Sequence, residues 1–147
     1  MYDHPNILVA ILDEDAPRRF TRWPHHITVL PWFKANTEAL TSLESIAAKF
    51  LPVAAEIGNT AMFGARNDIP VRLVESEALK DMHRAMLANH TGVLGLNNSR
   101  YSHEAYVPHI TLSGHNDPEP GRVIISSLSL VRGVGKKPHK RIVKQFE

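Results

Sequence analysis

The chain has 147 residues, of which 43% are hydrophobic and 22% charged, and its formal net charge is +2 at pH 7. This size and composition are typical of a globular protein, so we expect a single domain over residues 1–147. No apolar run approaches the ~20 residues of a membrane-spanning helix, and the absence of cysteine excludes disulfides, thiolate metal sites and cysteine nucleophiles.

The charges are unevenly distributed along the chain. Residues 132–147 contain six basic residues and one acid, whereas the first 131 residues contain eleven basic and fourteen acidic residues, a net charge of −3. A basic terminal segment attracts polyanions, and the same pattern is also typical of a solvated strand and loop. The opening residues carry acids and no cleavage pattern, so we expect a cytoplasmic protein without a signal peptide.

The first part of the chain predicts two buried strands followed by a helix. The apolar run 6–12 and the segment 26–31 are typical of strands. Residues 36–51 carry apolar side chains at helical spacing after a capping residue, Asn36 or Thr37, which predicts an amphipathic helix.

The middle of the chain predicts further strands and a second helix. Residues 53–64 predict two short strands around a Gly-Asn turn, and residues 68–75 predict a third. Ser76 is a capping residue for a helix over residues 77–90, which Gly92 ends.

The last part of the chain predicts a loop and then strands. A Gly-, Asn- and Ser-rich stretch at 91–105 is typical of a loop, and the strand that carries the second His-Ile-Thr follows it directly. A turn at 116–121 precedes a long strand over 122–133, and residues 140–146 predict a final strand. Strands joined by short turns and interrupted by two helices favour an α+β fold with antiparallel sheets.

Two stretches of the sequence resemble each other, PHHITVLPWF at 24–33 and YVPHITLSG at 106–114. Each contains His-Ile-Thr followed by an aliphatic residue, one or two places after a proline. A bare His-x-Thr is expected by chance roughly 0.4 times in a chain of this composition. One copy is explained by good strand sequence with a half-buried histidine, whereas the longer match in two copies favours a shared functional role.

Strand geometry places the polar residues of each copy together. Alternate side chains of an extended chain share a face, so His26 points with Thr28, and His109 points with Thr111 and Ser113. The isoleucines between them point the other way, into a core. If the two strands line one cleft, two imidazoles and two hydroxyls surround one small anion.

This set of groups suits the cleavage of a phosphodiester by water. An imidazole has a pKa near ~6.5, so one of the pair can be neutral and the other protonated near neutral pH. The neutral imidazole removes a proton from the attacking water, the protonated one gives a proton to the leaving ribose oxygen, and the hydroxyls hydrogen-bond the non-bridging phosphate oxygens. This chemistry needs no metal, no cofactor and no protein nucleophile.

The two motifs and their context resemble the two-histidine (2H) phosphoesterases, which include RNA 2′,3′-cyclic phosphodiesterases and 2′-5′ RNA ligase-like proteins. The hallmark of that superfamily is a pair of His-x-Thr-x motifs, and the similarity covers most of the chain. It implies an α+β, bilobal fold with two antiparallel sheets, pseudo-two-fold symmetry around a central groove and helices on the outside. One departure is that residues 113–122 are too few for the helix of a fuller second lobe, which affects the expected groove depth and substrate size.

Position by position, the resemblance implies that His26, Thr28, His109 and Thr111 form the catalytic set. It also suggests that His109 activates water and His26 protonates the leaving oxygen. The sequence alone does not assign these two roles, because the motifs are nearly identical and the roles exchange in the ligating direction.

Several further residues are weaker candidates for substrate binding. Tyr106 and Trp32 can stack on a base, and each is equally compatible with a core or rim position. Ser113 continues the second motif. Three arginines, Arg66, Arg72 and Arg100, can bind phosphate, although an exposed arginine usually contacts only water.

The other histidines do not form a recognisable ligand pattern. His25 is expected to face away from the cleft, because strand alternation pairs His26 with Thr28. The sequence has no His-x-x-x-His pair on a helix with a nearby carboxylate, so we predict no metal site from the remaining set: His4, His83, His90, His103, His115 and His139.

The leading functional hypothesis is a metal-independent phosphodiesterase that acts on 2′,3′-cyclic phosphate ends of RNA, or on small cyclic or 2′-5′-linked nucleotides. The resemblance implies a 2′-phosphate product. The alternative is a non-catalytic relative that binds RNA or a nucleotide through the groove and the basic C-terminal segment. We expect a monomer whose partners are RNA ends or small nucleotides, without a membrane or an obligate protein partner.

Overall fold

The computed structural model describes residues 5–88, 93–94, 106–134 and 139–147. Within these ranges the chain forms the helices α1 (Thr37–Phe50) and α2 (Glu77–Ala88) and ten strands. The strands are β1 (Asn6–Ile11), β2 (Arg19–Phe20), β3 (His26–Ala35), β4 (Val53–Phe63), β5 (Ile69–Glu75), β6 (Val93–Leu94), β7 (His109–Thr111), β8 (Gly121–Ile125), β9 (Leu128–Val134) and β10 (His139–Phe146).

Nine of these strands form one antiparallel sheet in the order β2-β10-β9-β1-β3-β7-β5-β4-β8, and β6 pairs with the end of β3. This architecture confirms the predicted α+β class. The prediction of two separate sheets is wrong, because β3 and β7 pair with each other and join both halves. We call β2, β10, β9, β1 and β3 the first half of the sheet, and β7, β5, β4 and β8 the second half.

Both helices lie on one face of the sheet rather than on the outside of two lobes. They contact each other and share one apolar core with the strands. Asn36 accepts a hydrogen bond from the Ala39 amide at 2.9 Å, and Ser76 Oγ accepts one from the Leu79 amide at 3.1 Å, so both predicted caps are confirmed. The buried helix side chains include Ala39, Leu43, Ala47, Leu79, Met82 and Met86.

The opposite face of the sheet, which we call the open face, carries a second and smaller apolar cluster. Along β1, strand alternation sends Leu8 and Ala10 to the helix face and Ile7 and Val9 to the open face. Open-face residues of β1 pack against others from β2, β9 and β10. Within the part of the chain that the structure describes, no helix is long and apolar enough to cross a membrane.

Some elements differ from the sequence-based prediction. Residues 53–63 form one strand, and a register shift against β5 between Ile57 and Thr60 accommodates the Gly-Asn pair. The predicted long strand over 122–133 is two strands, because β8 pairs with β4 whereas β9 pairs with β1, at distant places in the sheet. The two-residue strand β6 lies within the predicted loop 91–105, and the rest of that loop up to Tyr106 is outside the described residues.

Candidate active site

The two motifs lie side by side at the centre of the sheet. Ile27 of β3 is the register partner of Ile110 of β7. Both side chains have no exposed surface and belong to the core beneath the helices. The histidines and threonines that alternate with them are therefore directed to the open face.

The register also determines how the four polar side chains are arranged. Because β3 and β7 are antiparallel, His26 lies opposite Thr111 and Thr28 lies opposite His109. The two histidines then occupy diagonal positions on neighbouring strands, where the distance between the residues is ~7–8 Å. We call these four residues the motif quartet; each half of the sheet contributes one imidazole and one hydroxyl.

Apolar side chains border the motif quartet on both sides. On β1, Ile11 is the partner of His26 and Val9 is the partner of Thr28. The same pattern occurs on β5, whose residues Val71 and Leu73 are the partners of Thr111 and His109. The motif quartet is thus a polar group flanked by an apolar row on each side, with Thr111 exposed and the other three residues partly buried.

Both imidazoles are held by the same type of hydrogen bond. His26 Nδ1 lies 2.8 Å from the Pro24 carbonyl oxygen, and His109 Nδ1 lies 2.8 Å from the Val107 carbonyl oxygen. A carbonyl oxygen can only accept, so Nδ1 carries the proton in each ring. Nε2 is therefore the atom of each ring that gains or loses a proton, and the two rings are equivalent in this respect.

The environment of His26 changes its acidity. Burial lowers the pKa of His26 below its usual value, and the positive charge of His109 lowers it further, against the opposing effect of the Pro24 carbonyl. His26 is therefore mostly neutral at pH 7 in the unliganded protein. When its imidazolium does form, it is a stronger proton donor than that of an exposed histidine.

An aromatic ring packs against each motif histidine. The Trp23 ring centroid lies 4.3 Å from that of His26, and the Phe63 ring centroid lies 4.7 Å from that of His109. Sequence reasoning missed both residues. Trp23 is in the segment between β2 and β3, and Phe63 ends β4, so no local pattern linked them to the motifs.

Tyr106, a predicted base-stacking residue, is buried behind the motif quartet. Its hydroxyl donates a hydrogen bond to the Thr28 carbonyl oxygen at 2.7 Å, and its ring stacks on that of His83 at 3.9 Å. His83 Nδ1 in turn lies 2.7 Å from the Val29 carbonyl oxygen. This pair fixes the backbone of β3 at the first motif, and burial raises the pKa of the Tyr106 hydroxyl.

Arg72 also has structural partners. Its guanidinium donates to the carbonyl oxygens of Pro118 and Gly58, both at 2.9 Å. Its register partner on β7 is Ile110, so Arg72 does not share the face of Thr111. The structure therefore separates Arg72 from the motif quartet.

The remaining candidates are dispersed. Trp32 lies six residues beyond His26 on β3 and is 41% exposed. Arg66 is exposed in the turn between β4 and β5, and Arg100 lies outside the described residues.

Two loops are joined by an ionic cluster beside the first motif. The buried His25 lies between two carboxylates, with Nδ1 3.2 Å from Asp13 Oδ1 and Nε2 2.9 Å from Asp117 Oδ1. Asp117 also accepts hydrogen bonds from the amides of Ser113 and Gly114, at 2.7 and 2.8 Å. We call His25, Asp13 and Asp117 the carboxylate clamp; it ties the chain before the first motif to the loop after the second.

The charges in this clamp reinforce each other. The amide of Ser113 is the largest cause that lowers the pKa of Asp117, to about 2, and His25 adds to the effect. Burial lowers the pKa of His25, but its hydrogen bonds to Asp117 and Asp13 outweigh burial, so the net pKa is raised. Both ring nitrogens of His25 face carboxylate oxygens, which can only accept, so this arrangement stabilises the imidazolium form of His25.

Ser113 is part of this cluster and not of the motif quartet. Its Oγ lies 3.3 Å from His25 Nε2 and 3.0 Å from the His115 carbonyl oxygen. A serine near a histidine that also contacts an aspartate resembles a catalytic triad. Because Nε2 of His25 already donates to Asp117, it cannot accept the serine proton, and Ser113 is not an activated nucleophile.

A cavity of about 810 Å³ adjoins the carboxylate clamp. Trp23, Pro24 and His25 form part of its wall, and Ser113 and His115 form another part. Neither motif histidine lines it. The motif quartet instead lies on the open face of the sheet, where β3 meets β7.

The other histidines take no part in the quartet. His83 is buried in the core, and His115 and His139 are exposed. His4, His90 and His103 lie outside the described residues. Among the residues that the structure does describe, no group of three or more His, Cys, Asp and Glu side chains is arranged so that it could hold a metal ion.

One protein family matches most of the sequence. A family model described as the 2′-5′ RNA ligase superfamily matches residues 5–136. No curated protein matches the sequence.

Solved structures match over almost the whole chain. TT0787 of Thermus thermophilus is 17% identical, with a TM-score of 0.62 over 97% of this chain and 96% of that one. A protein described as a phosphoesterase is 13% identical, with a TM-score of 0.58 and coverage of 97% and 96%. E. coli LigT in its apo form is 12% identical, with a TM-score of 0.57 and coverage of 99% and 97%. LigT structures also exist with 3′-AMP, NADP⁺ and phosphate.

Proposed function

The chain belongs to the 2′-5′ RNA ligase superfamily, and from that premise we propose that it is a metal-independent phosphodiesterase. The proposed reaction is hydrolysis of a 2′,3′-cyclic phosphate at an RNA end, or of a small cyclic or 2′-5′-linked nucleotide. The observation that carries the proposal is the pairing of β3 with β7, which brings two imidazoles and two hydroxyls onto one face.

The motif quartet supplies both proton transfers that the reaction needs. The neutral imidazole of His109 accepts a proton from water at Nε2 as the water oxygen bonds to phosphorus. The bond between phosphorus and the ribose 3′ oxygen then breaks, and the imidazolium of His26 donates its Nε2 proton to that oxygen. The products are a 2′-phosphate and a free 3′-hydroxyl, and proton exchange with water restores both rings.

The role of His26 as proton donor requires that substrate binding protonates it, because its pKa is lowered in the unliganded protein. A bound phosphodiester is an anion, and it favours the protonated form of an adjacent imidazole. The low intrinsic pKa of His26 then makes the proton easier to transfer. Each proton transfer by a positioned side chain typically contributes ~10²- to 10⁴-fold to the rate.

The threonines of the motif quartet stabilise the phosphate. Each hydroxyl can donate one hydrogen bond to a non-bridging oxygen, whose negative charge increases in the transition state. Thr28 lies opposite His109 and Thr111 lies opposite His26 in the β3–β7 register, so each imidazole has a hydroxyl beside it. The nucleotide and phosphate ligands of LigT support a nucleotide substrate for this chain.

The test is a substrate screen with product analysis. The purified protein is incubated with 2′,3′-cyclic mononucleotides, cyclic dinucleotides, 2′-5′ oligomers and RNA with a 2′,3′-cyclic end, with and without EDTA. We expect a cyclic phosphate to be cleaved to a 2′-phosphate, and we expect EDTA to leave the rate of cleavage unchanged. Tight binding of these compounds without turnover would instead support the non-catalytic alternative, and turnover only with added metal would contradict the mechanism.

A further inference from the structure

A strip of aromatic and basic side chains extends from the motif quartet across the open face. The Trp23 ring packs on His26, and Lys140 Nζ lies 5.6 Å from the centroid of the Trp23 ring. Lys140 of β10 is the register partner of Gly133 of β9. These contacts lead away from the motif quartet across the first half of the sheet.

Trp32 is at the far end of this strip. A Cβ added to Gly133 would lie 3.9 Å from two atoms of the Trp32 six-membered ring. The indole therefore lies over a position without a side chain. Gly133 is two residues from Val131, which belongs to the apolar cluster of the open face, so Trp32 is on the same face as the motif quartet.

Trp32 is also accessible to a ligand. Its side chain is 41% exposed although the residue lies in the middle of β3. Trp23 differs, because Phe20 and Lys140 pack around it as well as His26. Trp23 is thus part of the framework, whereas Trp32 presents an aromatic surface to solvent.

The strip lies in a part of the sheet with only one sign of charge. The five strands of the first half contain no Asp or Glu, and they contain six basic residues. On β3, Lys34 follows Trp32 at the next position on the same face. The basic residues of these strands are Arg19, Lys34, Arg132, Lys140, Arg141 and Lys144. Lys144 pairs with Glu44 of α1 at 2.9 Å on the helix face, and Lys34 and Lys140 are the two that lie along the strip on the open face.

We propose that the strip formed by Lys140, Trp32 and Lys34 binds the single-stranded RNA chain that carries the reacting phosphate. The proposal rests on the phosphodiesterase function proposed above and narrows its substrate class to oligonucleotide ends. Trp32 stacks on a base, and the two lysines attract the phosphates of the chain.

The dimensions of the strip require more than one nucleotide. Trp32 is six residues from His26 along β3. Two register shifts place the seven steps from His26 to Phe33 opposite five steps of β1, so the separation is ~14 Å at the usual rise of a strand. A mononucleotide in the motif quartet does not reach Trp32. Stacking of a base on an aromatic side chain tolerates any base, and a basic surface tolerates any sequence. The strip therefore selects for chain length and not for sequence.

The experiment compares two substrates in three proteins. The substrates are a 2′,3′-cyclic mononucleotide and a single-stranded RNA octamer with the same 2′,3′-cyclic end, and the proteins are wild type, Trp32→Ala and Ile124→Ala. Ile124 is a matched control, because it is 52% exposed on β8 at the other edge of the sheet. We expect Trp32→Ala to raise the KM for the octamer by roughly tenfold and to leave mononucleotide kinetics unchanged.

A binding measurement separates this proposal from the proposed function. Fluorescence anisotropy of a labelled octamer with a 2′-phosphate end reports the affinity of each protein without turnover. We expect Trp32→Ala to bind the octamer more weakly and Lys140→Gln to show a lower salt dependence of binding. These two results would support RNA binding by the strip even if no substrate is cleaved. Equal octamer affinity in wild type and Trp32→Ala would overturn it, whatever the catalytic result.

The binding assay also distinguishes RNA from an acidic protein partner. Unlabelled polyglutamate of equal charge is added as a competitor to the labelled octamer. We expect the labelled octamer to stay bound in the presence of polyglutamate, because polyglutamate has no base to stack on Trp32. Unlabelled RNA at the same charge concentration should displace it. Equal displacement by polyglutamate would show a surface for acidic chains in general and would overturn the assignment to RNA.

Discussion

Each motif histidine is positioned by its own chain two residues upstream. The carbonyls of Pro24 and Val107 hold the Nδ1 atoms of His26 and His109 at the same distance of 2.8 Å. The surroundings beyond that bond differ, since burial lowers the pKa of His26. Two rings with the same tautomer and different environments are suited to different roles in one reaction.

Substitution of either histidine is the first test at this scale. We expect His26→Ala and His109→Ala each to lower kcat by ~10²- to 10⁴-fold, because each removes one proton transfer. Thr28→Ala and Thr111→Ala should cost less, about tenfold, since each removes one hydrogen bond to the phosphate. His139→Ala is the control, because His139 is exposed at the start of β10. Near wild-type rates in either histidine variant, measured with intact folding by circular dichroism, would contradict the mechanism.

A substrate with a better leaving group can show which histidine is the proton donor and which is the base. A phosphodiester with a 4-nitrophenolate leaving group needs no proton on departure. If His26 is the proton donor, the kcat of His26→Ala should recover with this substrate, whereas that of His109→Ala should not. Recovery of His109→Ala alone would reverse the assignment.

The pH dependence follows from the same assignment. His26 must be protonated to act as the donor, and its pKa in the unliganded protein is lowered from 6.5. We therefore expect kcat/KM to fall as the pH rises through the pKa of His26, which lies below 6.5, and we expect this alkaline limb to weaken with the nitrophenyl substrate. A profile that is flat from about pH 5 to pH 9 would contradict paired imidazoles.

At the scale of elements, the carboxylate clamp determines how two loops meet beside the first motif. His25 is buried, and its two ring nitrogens contact carboxylates that are 104 positions apart in the sequence, Asp13 and Asp117. Because Asp117 also binds two backbone amides, the loop after β7 is held against the chain before β3. The clamp therefore links the segments that flank the two motifs.

The clamp predicts a pH-dependent stability difference between wild type and His25→Gln. The pKa of His25 is raised in the folded protein, so its stabilisation is complete below about pH 6.5 and is lost as the pH rises through the folded value. We expect His25→Gln to lower Tm more at about pH 6 than at about pH 9, as measured by thermal denaturation. The effect of His26 has the opposite sign and is mainly due to burial, which both proteins share; His25 is only one of the smaller causes that lower the pKa of His26. An equal loss at both pH values would show that the charge of His25 does not stabilise the loops.

At the scale of the whole molecule, the sheet is continuous because of one short contact. β7 has only three residues, yet it connects the first half of the sheet to the second. Ile27 and Ile110 are both fully buried at this junction. The same contact that joins the halves also assembles the motif quartet, so stability and function depend on one place in the fold.

Shortening the Ile110 side chain at this junction should lower the stability of the folded protein strongly. We expect Ile110→Ala to lower the free energy of unfolding by ~2–5 kcal/mol, because it removes a fully buried side chain between sheet and helices. Ile124→Ala should change it by less than about 0.5 kcal/mol, because Ile124 is exposed. Chemical denaturation of both variants measures the difference; similar losses would mean that β7 does not hold the halves together.

Local sequence patterns were enough for the two helices and their caps, for most strands and for the alternation within each motif. Those features depend on neighbours a few residues apart. The continuous strand β4 and the division of residues 121–134 into β8 and β9 were missed, because a strand is bounded by its partners as well as by its own pattern.

Alternation within each motif was enough to predict two copies of an imidazole and a hydroxyl on one side of a strand. It could not predict that both strands are neighbours in one sheet, that Tyr106 and Arg72 bind backbone carbonyls, or that His25 joins two carboxylates. The reason is physical: side-chain alternation is a property of one strand, whereas pairing, burial and ion pairs depend on segments that folding brings together from distant parts of the chain.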